Sequence, residues 1–415
     1  MRIVVSPAGS RGDFQPMLAL AVGLRAAGHD VLMVVSPNFE PEAQAFGIPM
    51  APVGLDVEAY MRSSRVEASP LRAAYELFRM GRSEVVRLID ESLPLMKGAD
   101  VIIGAGAQIA APTVCELTGI PYVYFAYAPH TLRSEHHPAF TMPFQGLPRL
   151  VNRALWSTFV GTLRAAFGGP LDAKRAALGL GPVKDWYDHF FPISRMILAA
   201  DPELAPLPPD LRLPRPPTGA LHLPDHRPLD PALERFLDEG PPPVYIGFGS
   251  MPDRRPERTT KLIIDAARAA GTRLVLSSGW ARYGAGVAAD DVHVVGSASH
   301  NLLFPRVAAV VHHGGAGTTG AALRAGRPQV VVPHAFDQFG WARCVVEAGI
   351  GPQSLARSDL STSALTHRLQ AVIGEHRYAR RAGEIAAVVQ ARDPIDAAIR
   401  AVEAILSQTF GVLNH

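Results

Sequence analysis

The stretch VHHGGAGTTGAALRAGRPQVVVPHAFDQFGWA, from Val311 to Ala342, constrains the fold more than any other part of the 415-residue chain. Val307 to Val311 is an apolar run of strand length, and Gly314, Gly315 and Gly317 behind it let the backbone turn tightly and approach a ligand. Thr318 and Thr319 then open a predicted helix that reaches about Arg324. A helix starting there aims its unpaired N–H groups and positive dipole end at the loop, which suits phosphate oxygens. His312 and His313 stand at the strand exit, where an imidazole can add a side-chain donor to the same anion. A second apolar run, Gln329 to Val332, is a further strand, and beyond Pro333 come Asp337, Gln338 and Trp341. A carboxylate and an amide side by side can accept from and donate to neighbouring hydroxyls, as a hexose requires. The order predicts a diphosphate loop followed by a hydroxyl reader.

The same alternation of strand and helix runs along the rest of the chain. Ile3 to Ser6, Val31 to Ser36, Val101 to Ile103 and Tyr122 to Phe125 read as buried strands, with helical patterns such as Phe14 to Ala27 and Leu71 to Met96 between them. From Pro206 to Pro243 prolines recur, in PLPPDLRLPRPP and GPPPV, which suits a semi-rigid linker. Strands then resume at Val244 to Phe248, Arg273 to Ser277, Val292 to Val295 and the two already named. The expected fold class is α/β, with two doubly wound, Rossmann-like domains facing a central cleft and ligands held beyond the carboxyl ends of the strands. The expected boundaries are 1–215, a linker at 216–243, 244–393, and a last helical segment at 394–415. A net charge of +2 leaves no field for nucleic acid. Cys115 and Cys344, each in an apolar helical context, make a disulfide framework implausible and a reducing compartment expected. No leader pattern opens the chain and no apolar run approaches membrane-spanning length, so a cytoplasmic protein is expected, as monomer or homodimer.

These motifs resemble those of the nucleotide-sugar glycosyltransferases of the two-domain GT-B fold. Within that family the chain is most similar to the bacterial and fungal sterol glucosyltransferases and to the glycopeptide-antibiotic glycosyltransferases. GSRGDFQPMLALAVGLRAAGHDV, from Gly9 to Val31, resembles the family's opening, and VYIGFGSMP, from Val244 to Pro252, the start of its second domain. APHTLRSEHHPAF, from Ala128 to Phe140, and the stretch near Trp156 resemble the acceptor region more loosely. The resemblance implies an acceptor-binding first domain, a donor-binding second domain, and a C-terminal helix that crosses back to the first. It also implies that Asp13, between Gly12 and Pro16, is the base that takes the acceptor proton. The alternative for Asp13 is the N-cap of the helix from Phe14 to Ala27. By the same resemblance His313 contacts the pyrophosphate, with Gly315, Gly317 and Thr318 at the helix start and Ser250 as a further phosphate contact. His312 divides between a ligand contact and a structural hydrogen bond. Ala321 stands where the plant branch carries a ribose-binding glutamate, which leaves uridine and thymidine diphosphate sugars both open.

Asp337 and Gln338 fall at the family's spacing from His313 and Pro333 and are the expected sugar contacts; capping of the following helix is their alternative role. Gly12, Trp280, Val295 and Trp341 complete the expected donor cleft. No DxD sequence occurs, so no aspartate-clamped metal is expected, and the helix end and His313 must neutralise the departing diphosphate. On the acceptor side His130, Arg133, His136 and His137 cluster after a strand, followed by Trp156, Phe159 and Phe167. His136 and His137 lack the spacing partners of a metal site. Leu150 to Phe167 reads as an amphipathic helix over a hydrophobic cleft, with a membrane-surface role as the alternative. The acceptor expected is a hydroxylated hydrophobic small molecule such as a natural product, sterol or lipid. The expected reaction is inverting, metal-independent transfer of a glucose-like hexose. Rival functions are a same-fold sugar-nucleotide epimerase and a non-catalytic sugar-nucleotide-binding auxiliary protein. Gly315, Gly317 and Gly320 also spell a dinucleotide motif, but no acidic residue ends the next strand to hold a ribose.

Overall fold

The computed structural model describes residues 1–56, 70–223, 225 and 227–413. Positions 224 and 226 of the expected linker, 57–69 of the first expected domain and 414–415 of the last segment lie outside the described residues. The first half runs β1 (Arg2–Ala8), α1 (Arg11–Ala26), β2 (Asp30–Val35), α2 (Glu40–Ala45), β3 (Met50–Pro52), α3 (Pro70–Met96), β4 (Val101–Gly106), α4 (Ala111–Thr118), β5 (Tyr122–Ala126), α5 (Arg149–Ala177), α6 (Trp186–Phe190) and β6 (Met196–Leu198). The second runs α7 (Pro231–Asp238), β7 (Val244–Gly247), α8 (Pro256–Ala269), β8 (Leu274–Ser277), β9 (Val292–Val295), α9 (His300–Leu303), β10 (Ala309–His312), α10 (Ala316–Arg324), β11 (Gln329–Val331), α11 (Gln338–Glu347), α12 (Thr362–Gly374), α13 (His376–Gln390) and α14 (Pro394–Leu413).

Both sheets are wholly parallel, as apolar strands covered on two faces by helices should be. The first has the order β3-β2-β1-β4-β5-β6 and the second β11-β10-β7-β8-β9. In each the winding reverses beside the first strand, between β1 and β4 and between β7 and β10. A crevice opens at the carboxyl ends of strands at such a reversal. Asp13 follows β1, Ser250 follows β7 and His313 follows β10, so all three candidate residues stand at the two reversal points.

The segment 216–243 is not a uniform extended linker. Leu229, Leu233 and Leu237, the last two on α7, pack with Tyr245, Leu303 and Phe304 in a core of the second unit. Asp230 caps α7 by accepting from Ala232 N at 2.8 Å, and Pro231 sits at the first helical position, where its missing N–H costs nothing. The chain crosses back at its end. Ala398, Val402, Ile405 and Leu406 of α14 join Ile3, Met17, Leu20 and Leu24 in the first unit's core. Gly23 of α1 makes room for this helix, since a Cβ there would lie 2.2 Å from Ile395 Cγ2.

The expected acceptor helix also needs correction. Trp156 on α5 lines no cleft: it is fully buried, its indole N–H donates to His137 O at 3.0 Å, and it packs edge-on against Phe159 and Tyr187. An indole at the centre of an aromatic cluster needs such a carbonyl for its one donor. The aromatic face of α5 therefore makes a small core of its own, while Leu150 and Val151 on its first turn stay exposed. No helix among the described residues is long and apolar enough to cross a membrane.

Candidate active site

Asp13 is the third residue of α1 and not its N-cap, because the helix starts three residues earlier than its apolar pattern suggests. Ser10 caps it, and Asp13 returns the interaction through Oδ2, which accepts from Ser10 N at 2.8 Å and lies 3.3 Å from Ser10 Oγ. The carboxyl lies between two glycines in left-handed or otherwise restricted conformations. A Cβ on Gly9 would stand 2.2 Å from Oδ2, and one on Gly106, at the end of β4, 2.8 Å from Oδ1. Oδ2 is thus committed to the cap, which leaves Oδ1 as the oxygen not engaged by Ser10. Burial pushes the carboxyl up to about 6 against the opposing bonds from Ser10, a value suited to a base that works near neutrality.

Across the cleft, α10 begins at Ala316 with Gly315 as N-cap, two residues before the expected Thr318. Gly317 and Thr318 therefore lie within its first turn, where backbone N–H groups have no helical partner. Gly317 is exposed, and a Cβ added there would meet nothing within 4 Å, so the space in front of the helix end is open. His313 lies between the loops after β7 and β10: a Cβ on Gly249 would come within 3.0 Å of its Cε1 and one on Gly315 within 2.6 Å of its Nε2. Its Nδ1 is buried without a partner, and burial holds the imidazole down to about 3, hence neutral. A neutral imidazole still offers an N–H to an oxyanion.

His312 is corrected to a structural residue. Gly314 N donates to its Nδ1 at 3.0 Å, so its proton resides on Nε2, which donates to Gln329 Oε1 at 2.8 Å. Gln329 Nε2 in turn reaches Thr319 O at 3.2 Å, so this buried chain ties β10, β11 and α10 together and fixes the loop that carries His313. Both nitrogens of His312 are used, and none remains for a ligand.

Asp337 is the N-cap of α11 by position, yet its side chain makes no capping bond. Instead its Oδ2 accepts from Trp341 Nε1 at 3.2 Å. Burial first, and then the charge of Asp13, push its carboxyl up to about 7. Phe336, just before it, is exposed and holds φ 55, a left-handed conformation unfavourable for a side chain of its size. Gln338 has less freedom than expected: its Oε1 accepts from His334 N at 2.8 Å and Ala335 N at 2.9 Å, clipping the loop together. Only its Nε2 end, 3.3 Å from Met251 Sδ, is left to donate to a stronger acceptor.

Ser250 is half-buried in the turn after β7, next to Gly249, whose φ is 59. Trp280 is brought to the same place by its N–H bond to Gly249 O at 3.0 Å, and Val295 by its carbonyl, which accepts from Ser278 N at 2.8 Å. Gly12 is exposed beside Asp13 and donates to Ser10 Oγ at 3.2 Å. His136 is half-buried and its Nε2 stands 4.0 Å from Asp210 Oδ1. His130 is corrected from an acceptor contact to a buried residue between the units, with Nε2 3.0 Å from Asp337 O. Among the described residues no three His, Cys, Asp or Glu side chains are grouped to hold a metal ion. Sequence missed the Ser10 cap, although the Ser10-x-x-Asp13 spacing carries that signal. It also missed the glycine cradle of Asp13, for which no local pattern exists, because Gly9 and Gly106 meet only through the pairing of β1 with β4.

Comparison with known proteins agrees with this fold. Residues 3–136 match the glycosyltransferase family 28 N-terminal domain, and residues 263–404 match the C-terminal domain of the erythromycin biosynthesis protein CIII-like family. Glycosyltransferase GtfE of Amycolatopsis orientalis is 40% identical over 357 residues, 85% of each chain. The vancomycin aglycone glucosyltransferase of the same organism is 39% identical over 359 residues, again 85% of each. The sterol 3-beta-glucosyltransferase of Aspergillus fumigatus is 30% identical over 426 residues, which are 97% of this chain and 30% of that one. Among solved structures, the glycotransferase of kitacinnamycin superposes with a TM-score of 0.73 at 20% identity over 98% of both chains. The calicheamicin glycosyltransferase CalG4 gives 0.71 at 18% identity, likewise over 98% of both.

Proposed function

Because this chain belongs to the glycosyltransferases of the GT-B fold that include the glycopeptide and sterol enzymes, we propose that it moves a glucose-like hexose from a uridine or thymidine diphosphate sugar to a hydroxyl of a hydrophobic small molecule, with inversion and without a metal. The observation that carries this is the position of Asp13 after β1 and of the open N-terminus of α10 after β10, at the reversal points of the two sheets, with α1 and α10 in contact. In a single displacement the acceptor hydroxyl gives its proton to Asp13 Oδ1 while its oxygen bonds to the anomeric carbon from the face opposite the leaving group. The bond from that carbon to the diphosphate oxygen breaks, and the configuration inverts. The charge released onto the diphosphate meets the N–H groups of the first turn of α10 and the N–H of His313. A bound dianion offsets the desolvation that keeps His313 neutral, so the imidazole gains affinity for a proton as the product forms. Asp337 accepts from sugar hydroxyls, and Gln338 Nε2 adds a donor.

Calorimetric titration of the metal-free protein with UDP-glucose, dTDP-glucose and NAD tests this directly. One sugar nucleotide is expected to bind, more weakly after His313→Ala or Asp337→Ala. Silence toward both sugars, or binding of NAD in their place, overturns it. Turnover with no acceptor present identifies an epimerase instead, and a binder that never turns over, indifferent to Asp13→Asn, identifies an auxiliary protein. Turnover is expected to survive chelator unchanged; loss that magnesium restores would contradict the metal-free mechanism.

A further inference from the structure

We propose that His130 is a positioning residue: it reaches from the first unit into a notch on α11 of the second and fixes Asp337 there. The inference rests on the assignment of Asp337 as the sugar contact.

His130 lies on a short turn, Pro129–Thr131, just after β5. Its Nε2 is 3.0 Å from Asp337 O, and because a carbonyl only accepts, the ring carries its proton on Nε2. The ring stands edge-on to Trp341, with centroids 5.2 Å apart at 84°, and Trp341 is the residue whose indole N–H holds the Asp337 carboxylate. One imidazole therefore bears on both ends of Asp337, directly at its carbonyl and through Trp341 at its carboxylate.

The notch is Gly340. A Cβ there would fall 2.2 Å from His130 Cδ2 and 2.5 Å from its Cγ and Nε2. Gly340 is the third residue of α11 and has no positive φ, so the helix itself has no need of glycine. Alanine is the better helix former at such a site. What requires the missing side chain is the imidazole of the other unit. The fit also leaves His130 Nδ1 buried without a partner, an unfavourable feature that an apolar side chain of similar volume would avoid. Ordinary interdomain packing accounts for neither the glycine nor the histidine, whereas a directed bond to Asp337 O accounts for both.

The test is the gain in affinity that the sugar adds to the nucleotide, measured on the full chain as the ratio of Kd for UDP to Kd for UDP-glucose, or the thymidine pair if that is the one bound. His130→Ala and Gly340→Ala are expected to lower this ratio about tenfold, leave Kd for the bare nucleotide unchanged, and raise KM for the donor more than they lower kcat. His130→Gln, whose amide N–H can reach the same carbonyl, is expected to restore part of the ratio. Gly340→Ala gains helix propensity but must push the buried ring aside, so His130→Gln, which keeps the side-chain volume and should melt cooperatively near the wild-type midpoint, guards against a folding artefact. If Asp337→Ala abolishes the ratio but His130→Ala and Gly340→Ala keep it at the wild-type value, the clasp is wrong and the sugar assignment stands. If Asp337→Ala keeps the ratio, both fall.

Discussion

Asp13 commits Oδ2 to the Ser10 cap, and the proposed mechanism uses the oxygen that Ser10 leaves, Oδ1. Asp13→Asn keeps an acceptor for Ser10 N, so the helix start survives while the base is removed. The expected result is a fall in kcat of roughly 10²–10⁴-fold with sugar-nucleotide affinity retained, measured by turnover beside titration. In the wild type kcat/KM should rise with pH through the region of about 6 to 7, since Asp13 must be ionised and its titration is coupled to that of Asp337. Asp337 makes a separate statement about stability. Its folded value near 7 exceeds the unfolded value near 3.8, so the native state binds the proton more tightly. That stabilisation is full below about pH 4 and is lost as pH rises through 7. Asp337→Asn should therefore raise the thermal midpoint at pH 8 by on the order of 2 °C relative to wild type and leave it unchanged at pH 4, in parallel melts. Sequence brought Asp13, His313 and Asp337 to notice because each sits beside a strand end or a helix start, which local pattern reveals. It could not divide His312 from His313. Whether an imidazole meets a ligand or a glutamine depends on Gln329, a residue on the neighbouring strand.

At the scale of elements, the two reversal points of the sheets decide where chemistry can occur. The parallel character of both sheets was legible from alternating apolar runs, and the strands read from them lie within three residues of their observed ends, while the three-residue edge strands β3 and β6 were too short to leave a pattern. Helix starts were less legible: α1 and α10 both begin earlier than their apolar faces, because Ser10 and Gly315 fix the first turn before any side chain is buried. For α10 the shift matters, since it moves Gly317 from the loop into the first turn. An alanine there meets no protein atom within 4 Å, and helix propensity favours it over glycine by about 1 kcal/mol. Stability should hold or rise. A methyl group projecting into the space before the helix end should nevertheless exclude the phosphate, so Gly317→Ala is expected to weaken nucleotide binding by at least roughly tenfold, a loss of about 1.4 kcal/mol. Unchanged affinity would mean that the diphosphate lies elsewhere.

For the whole molecule, the chain crosses between the units twice, and the second crossing fastens the end of the chain to its beginning. Arg392 donates to Glu203 Oε2 at 2.6 Å where the two crossings meet, and α14 then lays Val402 and Leu406 into the core beneath α1. The helix that carries Asp13 is thus held on one side by β1 and on another by residues almost 400 positions away in sequence. No local pattern announces such a contact, and only the resemblance to a family suggested it. The cleft inherits a dependence on α14: displacing that helix should loosen α1 and with it the Ser10–Asp13 box. Leu406 is 3% exposed, and its truncation to alanine should cost about 2–5 kcal/mol. Because α14 belongs to the first unit's core, the loss should fall on that unit. In native-state hydrogen exchange, Leu406→Ala should speed exchange along β1 and α1 while the amides of β7, β8 and β10 keep their wild-type rates. Equal acceleration in both sheets would show instead that the two units unfold as one and that the crossing helix is no private support of the first.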